Sequence, residues 1–96
     1  AQVSLLRRTA GVDPSAARSA ADANPADVDA QLTAADVEVA TGQVDEGFER
    51  LLAAIRTTAG DDRDRARTRL VELFEVVGPS DPRVAKARSA LASALF

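Results

Sequence analysis

The chain has 96 residues, room for one domain, with 46% hydrophobic and 28% charged residues, the balance of a folded chain rather than a disordered one. Its net charge is −3, which gives no general attraction to nucleic-acid phosphates or anionic membranes. It holds no Cys and no His, which excludes disulfides, thiolate metal sites and a Cys nucleophile, and removes the commonest general base.

Taken in chain order, the punctuation predicts six helical segments, at 2–10, 14–23, 25–41, 44–58, 62–77 and 82–95. Three pairs, Asp13-Pro14, Asn24-Pro25 and Asp81-Pro82, have the form of a capping side chain followed by a proline at the first helical position. Gly11, Gly42, Gly60 and Gly78 stand where helices should stop. The segment 14–23 is rich in alanine and lacks a large apolar residue, so it has little to bury on its own account. Val28, Leu32, Ala35 and Val39 mark one lean helical stripe. Val44, Phe48, Leu51, Leu52 and Ile55 mark a fuller one, and Ala66, Leu70, Leu73, Phe74 and Val77 repeat its spacing position for position. Val84, Leu91 and Leu95 give the last.

Alanine supplies much of the apolar content and aromatics only 3%, so thin, closely packed helices are expected and β-strands are not. No stretch approaches the roughly 20 apolar residues of a membrane span, and no signal peptide is visible. A cytoplasmic protein is expected. Because the sequence begins at Ala1 rather than Met, it is expected to be an excised part of something longer.

The connections are short, so successive helices should be antiparallel neighbours. The pair 27–41 and 44–58 is followed roughly 35 residues later by the pair 62–77 and 82–95, the period of a tetratricopeptide-type repeat. Gly47 and Ala54 are small where such helices approach closely. Gln31 and Glu38 stand where the Trp and Tyr of the repeat consensus are expected. The expected architecture is all-α: antiparallel helix-turn-helix hairpins in a tetratricopeptide-like, right-handed helical repeat. It forms a single domain over 1–96, with 1–23 the end of an earlier repeat plus a short helix, and 24–58 and 61–96 the helix pairs.

Candidate chemistry is sparse. Glu72 and Glu75 are spaced as neighbours on a helix, opposite an apolar stripe, and read as solvated surface. Asp22, Asp27, Asp29 and Asp36 lack the spacing of a calcium loop, and no metal or cofactor is expected. The run "DDRDRARTR" offers Arg63, Arg65, Arg67 and Arg69 as a phosphate patch. Asp61, Asp62 and Asp64 near a helix start suit its dipole, however, and Asp61–Arg65 and Asp64–Arg67 are spaced for intrahelical pairing, so surface ion pairs are the better reading. Base-stacking aromatics are absent, and nucleic acid is not an expected partner. Ser and Thr occur with no base beside them and no glycine-rich phosphate loop, so the chain reads as no enzyme.

The segment "RLVELFEVVGPSDPRVAKARSALASALF" resembles the C-terminal end of the bacterial thioredoxin-like co-chaperones, or chaperedoxins, on Leu73, Phe74, Gly78, Asp81, Arg88, Leu91, Leu95 and Phe96. "NPADVDAQLTAADVEVATGQVDEGFERLL" is similar to the preceding repeat of their tail domain, and "AQVSLLRRTAG" to the end of a still earlier helix. The resemblance implies tetratricopeptide-like helices that bind unfolded clients, dock on the chaperonin, or do both, beside the protein's own thioredoxin-like domain. Carried onto this sequence, Arg88, Leu91, Leu95 and Phe96 of the last helix are the candidate partner-binding residues. The alternative is a structural spacer or self-association module, a weak homodimer that binds no client.

Overall fold

The computed structural model describes residues 2–95 and folds them into α1 (Gln2–Thr9), α2 (Pro14–Ala23), α3 (Val28–Ala40), α4 (Val44–Thr57), α5 (Gly60–Val77) and α6 (Pro82–Leu95). All the regular structure among the described residues is helical, as expected.

Two of the three proline pairs act as helix starts. Asp13 Oδ1 accepts from the amides of Ser15 and Ala16 at 3.0 and 3.4 Å, and Asp81 Oδ1 accepts from the Arg83 amide at 2.8 Å. Asn24-Pro25 does not. The Asp27 amide donates to the Asn24 carbonyl at 3.0 Å and closes a turn, so α3 begins at Val28 rather than at 25, with Asp27 capping the Ala30 amide at 3.2 Å. Gly60 also departs from expectation: α4 ends at Thr57, and Gly60, at φ +61°, opens α5 instead of closing the helix before it. Gly78 is the stop it was expected to be. Its φ of 115° needs a glycine, and its amide donates to the Phe74 carbonyl at 2.9 Å.

The helices form two layers. In one, α3 lies between α1 and α5. In the other, α4 packs on α3, α5 and α6, while α2 rests on α3. The slab measures 35 × 29 × 18 Å. α6 runs more closely along α4 than along α5, its neighbour in sequence.

The expected stripes meet between the layers. Phe48, Leu51, Leu52 and Ile55 of α4 are buried against Leu70, Leu73 and Phe74 of α5 and Val84 and Leu91 of α6, with Val77 and Leu95 partly buried at the edge. The Phe48 and Phe74 rings meet edge to face, centroids 5.1 Å apart. That geometry contributes about 1 kcal/mol beyond the area buried. Gly47 lets α3 and α4 close together: a Cβ there would stand 2.9 Å from Val39 Cγ2 and 3.1 Å from the Ala35 carbonyl oxygen.

α3 differs from its expected form. It is buried nearly all round, and along with Val28, Leu32, Ala35 and Val39 it buries Gln31, Asp36 and Glu38. A helix flanked on both sides in its layer and covered by α4 keeps only a narrow strip for water, at Asp29, Thr33 and Ala40, so Gln31, Asp36 and Glu38 had to find partners inside the protein.

Candidate functional site

The candidate residues of α6 separate by exposure. Leu91 is buried in the core, and Leu95 is half-buried against it. Their side chains therefore hold α6 down. Arg88 is exposed at its tip and lies over the Phe74 ring, guanidinium carbon 5.7 Å from the centroid, so its stem covers the core while its charge faces water. Phe96 lies outside the described residues. Arg63 of α5 donates to the Leu95 carbonyl at 3.4 Å, placing positive charge at the C-terminal end of α6, where the helix dipole favours it.

Two polar clusters, one on either side of α3, were not expected from the sequence. In the first, Asp36 accepts from Arg8 Nε at 2.9 Å and Arg8 Nη2 at 3.2 Å, both from α1, and from Arg69 Nη1 of α5 at 2.6 Å. Arg8 Nη1 also donates to Glu72 Oε1 at 2.9 Å. Glu72 is thus half-buried and engaged by two arginines, a correction to its reading as solvated surface; Glu75 is exposed as expected. Burial raises the Asp36 carboxyl above its ordinary value, against the pull of Arg8 and Arg69, with Glu72 adding to the rise. Burial also works against the charge on Arg8, but its hydrogen bonds to Asp36 and Glu72 prevail and hold its pKa above the usual value.

In the second cluster, Glu38 is 1% exposed and accepts from Arg50 Nε at 2.8 Å, Arg50 Nη2 at 3.1 Å and Arg18 Nε at 3.1 Å. Arg50 Nη1 donates to Gln31 Oε1 at 3.1 Å, and Gln31 Nε2 donates to the Ala21 and Asn24 carbonyls at 2.9 and 3.1 Å. Helices α2, α3 and α4 are joined by this set. Its bonds to Glu38 raise the Arg50 pKa. The buried donors and acceptors of these side chains all find partners in other parts of the chain, so the clusters are structural ties. Among the described residues, no buried side-chain polar atom lacks a partner, and no group of three or more acidic, His or Cys side chains is placed to hold a metal.

The arginine run is spent on pairing. Arg67 meets Asp64 at 3.8 Å, as its spacing suggests. Arg65 takes Asp62 at 3.5 Å, three residues back, together with Asp29 of α3, rather than the expected Asp61. Beside these pairs an open groove of about 560 Å³ runs between α3 and α5, floored by Leu32 and walled by Arg65, Arg69 and Glu72. A second open cleft, of about 630 Å³, lies between α2 and α4 over Glu38 and Arg50. Both are shallow surfaces with mixed charge, suited to another macromolecule's side chains more than to enclosing a small molecule.

A tetratricopeptide-repeat family model matches residues 7–96. The chain belongs to the tetratricopeptide-repeat family. Repeats of this family are generally non-catalytic modules that mediate protein–protein interaction, which agrees with the open, charged clefts between the helices of each layer. The chain is also 46% identical over 95 residues to uncharacterized proteins of Mycobacterium tuberculosis, strains H37Rv and CDC 1551, and of Mycobacterium bovis. These alignments cover 99% of this chain and 31% of each relative, so the repeat domain spans about a third of their length. No solved structure matches it. No helix among the described residues is long and apolar enough to cross a membrane.

A polar residue at each consensus aromatic position, Gln31 for Trp and Glu38 for Tyr, was the sequence signal for the second cluster. Those positions are buried in the repeat, so a charge there needs an internal counter-charge. The first cluster had no such signal.

Proposed function

We propose that these residues form the protein-interaction domain of a thioredoxin-like co-chaperone, which docks on the chaperonin and presents unfolded clients to it. Membership of the tetratricopeptide-repeat family over residues 7–96 carries the reading, because it makes the chain an interaction module. The resemblance of residues 69–96 to the co-chaperone tail gives the partner. The thioredoxin-like domain of the same protein is the further partner it implies.

The surface favours docking on a folded protein as the domain's own share of the work. A holder of unfolded chains needs a broad exposed apolar patch. Here Val3, Leu6 and Val71 are the large apolar side chains that stand exposed among the described residues. Helix α6 instead carries Arg83, Lys86 and Arg88 and no acidic residue. Arg83 is held by Asp81, and Lys86 and Arg88, exposed on opposite flanks of the helix's solvent face, are the positive charges it offers to an acidic docking site. Leu91 and Leu95 hold that face in place from beneath.

Capture on immobilised chaperonin tests this. The full-length protein should bind, and a charge-reversed Lys86→Glu/Arg88→Glu variant should lose at least ten-fold in affinity, as should a chain lacking residues 92–96. Equal capture of all three would remove the docking reading.

A further inference from the structure

Among the described residues, three large apolar side chains are exposed, and two of them, Val3 at 61% and Leu6 at 66%, sit on the eight-residue α1. At roughly 100° per residue they lie about 60° apart, on the side of α1 turned away from Leu5. Leu5 is the residue that buries itself against α3, at 4% exposure. Exposed Ala10, at the turn that follows, extends the same stripe with the i, i+3, i+7 spacing of a helix packed on both sides. Arg8 meanwhile fastens the inner side to Asp36 and Glu72. α1 is therefore fixed in place with a second apolar face directed outward, in the layer where α3 has a helix on each flank and α1 has one.

Two observations indicate what covers it. The repeat-family match begins at residue 7, so Val3 and Leu6 lie before the family unit. The relatives are also far longer than this chain, which spans 31% of them. We propose that the outer face of α1, formed by Val3 and Leu6, seats the remainder of the longer polypeptide to which this domain belongs. It does so as an intramolecular interface that fixes the orientation of the repeat domain. The interface requires an apolar complementary face on that remainder and no particular fold, so it stands or falls apart from the chaperonin reading.

Photocrosslinking in the full-length protein tests it. Leu6→p-benzoylphenylalanine should yield, on irradiation, a product of monomer mass whose digest joins the α1 peptide to a segment outside these 96 residues. The same probe at Val71, exposed on α5, should yield no such product. Val3→p-benzoylphenylalanine repeats the measurement one turn earlier, should the Leu6 variant fold poorly. A product of dimer mass would assign the face to a second copy, and a product with another protein would assign it to an external partner; either result overturns the proposal. So does the absence of any product from both probes in a protein whose helical circular dichroism is intact.

Discussion

Glu38 carries a negative charge at 1% exposure, and such a charge survives only because Arg50 and Arg18 are aimed at it. Taking a carboxylate and a guanidinium out of water costs several kcal/mol each, and their attraction about offsets that. Losing one partner is then far worse than losing both. Glu38→Ala is expected to destabilise the domain by about 2–3 kcal/mol, below the full value for a buried pair because Arg50 keeps Asp22 and Gln31. The double variant Glu38→Leu/Arg50→Leu should recover most of that loss. Urea unfolding of the two variants decides it. If the double variant proves less stable than Glu38→Ala, the cluster contributes net stability and is more than a mutual neutralisation.

At the scale of the helix, Gly47 separates two opposing effects. Alanine inside a helix is favoured over glycine by about 1 kcal/mol. Against that, a Cβ at 47 would lie 2.9 Å from Val39 Cγ2 and 3.1 Å from the Ala35 backbone oxygen, and a carbonyl on a packed helix cannot turn aside as a side-chain tip can. Overpacking should win. Gly47→Ala is expected to lower stability by a net 1–2 kcal/mol, seen as a fall in Tm of several degrees. An unchanged or higher Tm would mean that α3 and α4 separate with little resistance. The close approach was legible in the sequence, because small residues at Gly47 and Ala54 match the spacing of a repeat. The apolar stripes of α4 and α5 and the stop at Gly78 were legible for the same reason, since all are local patterns. The start of α3 was not: Asn24-Pro25 and Asp27 both have cap chemistry, and only the turn closed between Asn24 and Asp27 selects the second. Nor was the partner of Glu72, because its spacing from Glu75 describes one helix, whereas Arg8 arrives from 64 residues away.

In the whole molecule, Arg8 is the residue that departs most from repeat behaviour. Helical repeats make contacts chiefly between neighbouring units, and their ends fray independently. Arg8 spans 28 residues to Asp36 and 64 to Glu72, tying the first helix to α3 and to α5 in one step. Eight residues form too short a helix to persist alone, so α1 depends on that tie and on buried Leu5. Arg8→Ala removes three hydrogen bonds between charged groups that are partly open to water. A loss of about 1–2 kcal/mol, localised at α1, is the expected result. Native-state hydrogen exchange should then show the amides of α1 exchanging roughly ten-fold faster, with those of α4 and α6 nearly unchanged. Acceleration spread evenly across all six helices would mean that the slab opens only as a whole. No acceleration in α1 would mean that Leu5 alone holds it and the arginine tie is incidental.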